Sequence, residues 1–210
     1  MSTLDDIREE VINGNIHGIG EMVQQALDEG LEAEIILGEA LIPAMATVGE
    51  NYECGDFFVP EMLVAARAMQ SGMNVLKPLL TQSGVEPLGR VAIGTVQGDL
   101  HDVGKNLVAM MLEGAGFEVK DLGTEVKPER FVAAVKDGAQ LIGMSALLTT
   151  TMPSMETTIA ALNEAGVRDQ VKIMVGGAPV TQDFADSIGA DGYAPDASSA
   201  ANTAKSLLGV

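Results

Sequence analysis

The stretch RVAIGTVQGDLHDVGKN, residues 90–106, runs from an apolar segment through a turn rich in glycine and aspartate into the start of a helical pattern. Val91, Ala92 and Ile93 are contiguous and apolar, as a strand covered on both faces requires, whereas apolar residues over 104–115 recur at helical spacing. The same change from strand to helix recurs downstream. FEVKDLG (117–123), LIGMSAL (141–147), KIMVGG (172–177) and DGYA (191–194) alternate with helical stretches near 128–138, 153–165, 181–188 and 196–208. Alternation at this length predicts a doubly wound α/β domain, flavodoxin-like or Rossmann-like, with a five-stranded parallel sheet between helices. Ligands of such sheets bind beyond the carboxyl ends of the strands, so the loop 97–104, with His101, is expected at that edge.

The first 80 residues read differently. Apolar residues recur every three or four positions in LDDIREEVI, IGEMVQQAL, EIILGEALIPAMATVGENY and PEMLVAARAMQSGMNVLKPLL, which predicts an N-terminal four-helix bundle. Gly14 and Gly30 stand where helices should stop, and Pro60 where the last should start. Pro43 falls inside the third pattern and is expected to kink it or offset its start. TQSGVEPLG, 81–89, reads as a linker. The expected domains are therefore 1–85, a helical cap, and 86–210, the α/β unit.

Composition narrows the function classes. The 210 residues carry a formal charge of −18, of which residues 1–89 hold −12 and residues 90–210 hold −6. Nucleic acid and anionic membrane surfaces are bound by surplus Lys and Arg, so both are excluded as partners. There is no apolar run of about 18 residues, and the acidic MSTLDDIREE start is unlike a signal peptide, so a cytoplasmic protein is expected. The single cysteine, Cys54, excludes an internal disulfide and a multi-thiolate metal site.

The loop 97–104 admits three chemistries. A phosphate loop needs four residues between its first glycine and the Gly-Lys pair, followed by Ser or Thr. Here five residues separate Gly98 from Gly104-Lys105, Asn106 follows, and Asp99 and Asp102 would repel a phosphate. The dinucleotide fingerprint G-x-G-x-x-G is absent from this turn as well. An Asp99–His101 pair could fix the imidazole tautomer for acid/base work, but no nucleophile with a recognisable turn accompanies it. Ligation of a metal by one histidine makes sense where a macrocycle supplies the other positions. The chain's other histidine, His17, lies in the helical region and is expected on the solvated surface.

The spacing D-x-H-x-x-G, as Asp99, His101 and Gly104, resembles the signature of cobalamin-binding domains in methyltransferases and mutases. SALLTTT, with Ser145, Leu147 and Thr149, is similar to that family's S-x-L-x-T segment, and GGAP, from Gly176, Gly177 and Ala178 to Pro179, to its Gly-Gly turn. VGENYECGDFFVPEMLVAARAM, residues 48–69, is similar to the helical cap of methionine synthase and of the corrinoid proteins of methanol, methylamine and aryl-ether demethylation.

The resemblance implies cobalamin or a related corrinoid, with His101 as lower ligand to cobalt in place of the cofactor's own base. The displaced nucleotide tail would then enter a slot lined by Ser145, Leu147, Thr149, Gly176, Gly177 and Ala178. Asp102 and Gly104 complete the contacting loop, and Asp99 with Thr151, where methionine synthase has serine, extends His101 into a proton relay. Tyr52 and Val59 take positions that shield the methyl group from above, and residues 81–89 are the expected hinge. The activity implied is that of a non-autonomous methyl carrier. It would serve a substrate-specific methyltransferase and an acceptor methyltransferase using tetrahydrofolate or a thiol, with a reductive activase. A chain of 210 residues leaves no room for a catalytic barrel of about 250. An adenosylcobalamin-binding mutase subunit and a cobalamin-binding sensor module are the alternatives.

Overall fold

The computed structural model describes residues 2–210, which fall into two compact units that divide between Glu86 and Pro87. In the first, α1 (Thr3–Ile12), α2 (Ile19–Asp28), α3 (Ala33–Ile36), α4 (Ile42–Cys54) and α5 (Val59–Ser83) bury a core that includes Ile7, Val23, Leu41, Val48, Met62 and Leu76. Ser2 starts α1 with a reciprocal cap to Asp5, and Gly55 and Gly84 end α4 and α5 in the left-handed conformation.

The third sequence pattern is not one regular helix. Between α3 and α4 the chain makes a π-helical turn, Leu37–Leu41, and the helix then continues through Pro43. Proline at 43 has no N–H to give to the Glu39 carbonyl four residues earlier, and its ring crowds that oxygen. Widening the preceding turn relieves the crowding, and the Arg8 guanidinium donates to the Glu39 carbonyl oxygen at 2.6 Å. The helix is thus bulged rather than broken. The expected linker also shortens, because α5 runs to Ser83 with Pro78 inside it.

The second unit holds β1 (Arg90–Thr95), β2 (Glu118–Asp121), β3 (Leu141–Ser145), β4 (Lys172–Gly176) and β5 (Gly192–Tyr193), all parallel, in the order β2-β1-β3-β4-β5. This is the flavodoxin-like order, whose switch point lies between β1 and β3. Helices α6 (Val103–Gly114) and α10 (Ala197–Leu208) cover one face, and α7 (Pro128–Lys136) and α8 (Pro153–Glu164) the other, with α9 (Gln182–Ile188) before β5. Central β1 is buried from Val91 onward, whereas edge strand β2 is mostly exposed, so burial follows strand position. Register pairs Thr95 with Ser145 and Ser145 with Gly176, bringing the ends of β1, β3 and β4 level. Among the described residues, no helix is long and apolar enough to cross a membrane.

Candidate functional site

At the switch point the chain leaves β1 through Gln97 and Gly98 and turns back into α6. Gly98 adopts φ 87°, a conformation that disfavours any side chain, and the turn directs Asp99 inward beneath the loop. Asp99 is fully buried. One carboxylate oxygen accepts from the His101 amide at 3.1 Å and faces His101 Nδ1 at 2.7 Å. The other accepts from the Leu147 amide at 2.8 Å, the Leu148 amide at 3.4 Å and the Thr151 hydroxyl at 2.7 Å. Burial alone would push this carboxyl up. The hydrogen bonds from Thr151, Leu147 and His101 outweigh burial and hold it well below the usual carboxylate range.

Against an ionised Asp99, Nδ1 can act only as donor in the 2.7 Å contact, which in the neutral ring leaves the Nε2 lone pair free. The imidazole is exposed, with 53% of its side-chain surface open. Around it lie exposed apolar side chains that a water-facing loop would not favour: Leu100 and Val103 are 70% and 72% exposed, and Leu147 and Leu148 are also open. Among the described residues no three His, Cys, Asp or Glu side chains converge on a metal position. A metal here needs most of its ligands from elsewhere.

The residues singled out in the sequence fall into groups. Asp99, His101 and Thr151 are joined directly, and Leu147 enters through its amide. Ser145 ends β3, where its carbonyl accepts from the Val96 amide, and Thr149 is exposed on the following turn. Asp102 precedes α6 and accepts from Asn106 at 3.2 Å rather than capping the helix. Gly176 ends β4, and Gly177 and Ala178 follow it. The glycine requirement at 177 is internal to the fold: with φ 132°, a Cβ there would stand 1.9 Å from the Ala146 carbonyl oxygen. Gly104 is the opposite case, since a Cβ on it would meet nothing within 4 Å although it sits in the first turn of a helix.

In the other unit Tyr52 is half-buried on α4 and Val59 is 38% exposed at the start of α5, next to Phe58 at 66%. Val59 is therefore not bundle core. His17 and Cys54 are exposed. Sequence reasoning missed Leu100, Val103, Leu148 and Phe58, all large apolar residues beside motif positions, and that juxtaposition was the available signal. It also missed Thr95, fully buried at the end of β1, whose hydroxyl donates to the His101 carbonyl at 2.7 Å.

Residues 89–202 match the B12 binding domain, and residues 3–77 match a second B12 binding domain model. The chain belongs to the B12-binding corrinoid proteins. Its cofactor is cobalamin or a related corrinoid. It is 40% identical over 213 residues to a corrinoid protein of Desulfitobacterium hafniense, covering all of this chain and 99% of that one. It is 46% identical over 193 residues to the trimethylamine corrinoid protein of Methanosarcina barkeri, covering 90% of this chain and 89% of the other. Among solved structures, a chain of the methanol:cobalamin methyltransferase complex of Methanosarcina barkeri superposes with a TM-score of 0.87 at 29% identity, over 99% of this chain and 80% of that chain.

Two features of the site fit a corrinoid. The Asp99 carboxylate engages Nδ1 and leaves Nε2 without a protein partner on a half-open ring, and the exposed apolar side chains Leu100, Val103, Leu147 and Leu148 suit a large flat macrocycle. Gly104 adds a third. Glycine in a helix costs about 1 kcal/mol relative to alanine. Nothing inside this protein requires it, so the open space in front of it suits an external ligand.

Proposed function

We propose that this corrinoid protein is a methyl carrier that holds its cofactor with His101 Nε2 as the lower ligand and serves two methyltransferases. The observation that carries the reading is the 2.7 Å pairing of His101 Nδ1 with the buried Asp99 carboxylate, which leaves Nε2 as the only free ring nitrogen. When bound, the corrinoid supplies a cobalt centre able to accept and give up a methyl group.

His101 Nε2 would hold the cobalt, and Asp99 orients the ring and stabilises the proton on its far nitrogen. Thr151, donating to Asp99 at 2.7 Å, strengthens that carboxylate as acceptor. Five donated hydrogen bonds hold Asp99 ionised, so the Nδ1 proton stays on the ring. Leu100, Val103, Leu147 and Leu148 offer exposed apolar surface to the face of the macrocycle. Ser145, Thr149, Gly176, Gly177 and Ala178 line the path for the nucleotide tail, with Asp102 and Gly104 contacting the macrocycle. Within the helical unit, half-buried Tyr52 and exposed Val59 and Phe58 offer apolar surface to a flat ligand. The methyl donor is read by a substrate-specific corrinoid methyltransferase, the acceptor by a second enzyme using tetrahydrofolate or a thiol, and reduction by an activase. The likeness to a methyltransferase complex and to a trimethylamine corrinoid protein supports that division of labour.

The test is the visible spectrum of protein loaded with methylcobalamin, for wild type and His101→Ala. A base-off, histidine-on spectrum in the wild type that His101→Ala abolishes is expected, and identical spectra would overturn the ligation. Methyl uptake should require an added partner methyltransferase, and rapid turnover by this chain alone would contradict the carrier role.

A further inference from the structure

Lys105 takes no part in the site described above, yet its side chain is only 1% exposed. Its ammonium donates to Asp121 Oδ2 and to Asn106 Oδ1, each at 2.6 Å. Taking an ammonium out of water is costly, and a buried ion pair often stabilises a fold no more than well-packed apolar residues would. Stability alone therefore does not account for this lysine.

The pair has a structural consequence. Asp121 ends edge strand β2, and its other oxygen accepts from the Gly123 amide at 2.8 Å, starting the turn into α7. Within that turn Glu125 is the single non-glycine residue with positive φ among the described residues, at 51°. Such a conformation is unfavourable for a residue with a Cβ and persists where neighbours impose it. The strained turn points the Glu125 amide at the Asp99 carbonyl, 3.0 Å away, and the Gly123 carbonyl accepts from Thr95, whose hydroxyl holds the His101 carbonyl. Lys105 is anchored in α6, the helix that the histidine loop enters, so the ion pair closes a ring: α6, the end of β2, the strained turn, Asp99, His101 and back to α6.

We infer that Lys105 is a positioning residue, a buried strut that holds the 121–126 turn in its strained shape and thereby presents the backbone of Asp99 and His101 in the orientation that leaves Nε2 free. The inference rests on the lower-ligand reading of His101. Its first test does not need the cofactor.

Lys105→Met is the informative variant. Asp121 is 46% exposed, so its carboxylate can turn to water and no buried charge is stranded. With two histidines in the chain, long-range proton–nitrogen spectra of the apo protein resolve the His101 ring, with His17→Gln as the assignment control. The wild type should show the Nδ1–H tautomer. Lys105→Met, folded with an unchanged or higher melting temperature, should show both tautomers, and in the corrinoid-loaded protein the ratio of histidine-on to histidine-off should fall about tenfold. Adding Glu125→Gly removes the backbone strain and should restore the wild-type pattern.

Arg168→Met breaks a partly buried ion pair with Asp191 (2.8 Å), which binds the Ile173 amide at the start of β4, away from the site. It should lower the melting temperature and leave the His101 signals unmoved. A folded Lys105→Met with wild-type ring signals, the same ring changes in Arg168→Met, or no recovery with Glu125→Gly would each overturn the inference. A wild type without a histidine-on spectrum would sink the ligation alone, because the tautomer test is read without cofactor.

Discussion

Asp99→Asn is nearly isosteric, but the amide cannot satisfy what the carboxylate does. The carboxylate faces donors on both oxygens: the His101 amide and Nδ1–H on one, and the Leu147 and Leu148 amides with the Thr151 hydroxyl on the other. An asparagine has one acceptor oxygen. If it faces the loop after β3, its NH2 group confronts His101, Nδ1 must become an acceptor, and the ring proton moves to Nε2, where it blocks ligation. If it faces His101, two backbone N–H groups lose their acceptor beside the NH2. Each unsatisfied buried donor costs about 1–3 kcal/mol, so the variant should lose roughly 2–4 kcal/mol in urea unfolding of the apo protein at neutral pH. The difference should depend on pH. Because the folded-state carboxyl is held below its ordinary value, its stabilising contribution is fully present above the unfolded-state value near 3.9 and lost as pH falls below that. Equal unfolding midpoints for the two proteins at neutral pH, with an unchanged Nδ1–H tautomer in the variant, would refute the account.

Four further outcomes follow from the same geometry. Thr151→Val removes one donor from Asp99 in a site only 7% exposed and should cost about 1–2 kcal/mol by urea unfolding, whereas Thr151→Ser should stay near wild type. Gly177→Ala drives a Cβ into the Ala146 carbonyl at 1.9 Å and should lower the melting temperature sharply even without cofactor. Gly104→Ala should raise or preserve apo stability, by up to about 1 kcal/mol, while weakening corrinoid binding measured by titration; undiminished binding would deny Gly104 its role. Arg8→Met leaves the Glu39 carbonyl without its guanidinium donor and should cost about 1–2 kcal/mol, read by thermal melting.

The α/β unit was legible in outline because its signals are local. Apolar runs bounded by glycine gave five strands within a residue or two, and alternation with helices gave the parallel sheet. The order β2-β1-β3-β4-β5 depends on pairings between distant segments, so periodicity could narrow it only to a fold class. The helical region shows the other limit. Pro43 marked a local disturbance correctly, but its resolution depends on Arg8, 35 positions earlier, supplying a donor to Glu39. A sequence window sees the lost hydrogen bond and not the replacement. In the site, Asp99 and His101 were readable as a pair because they are two residues apart. Thr95 was not, because its hydroxyl looks like any strand threonine until the His101 carbonyl is placed against it. Lys105, read only as part of a failed phosphate loop, is likewise explained by Asp121, which sits 16 residues away on an edge strand.

The two halves of the motif, Asp99-x-His101 and Ser145-x-Leu147, are bound together by a hydrogen-bonding requirement rather than by two separate contacts with a ligand. A buried carboxylate needs donors on both oxygens, and the loop after β1 can fill only one of them, through His101. The switch point supplies the rest, because β1 and β3 are neighbours and Thr95 stands level with Ser145, so the amides of Leu147 and Leu148 arrive at the second oxygen. The turn after β3 then closes with Thr151, whose hydroxyl reaches the same atom. The S-x-L spacing thus reports where backbone N–H groups must emerge, and the Leu147 side chain is left free to face outward. By this argument, substitutions at Leu147 that keep its backbone should alter the apolar collar and leave Asp99 intact. Any change at Asp99 must propagate to both loops at once.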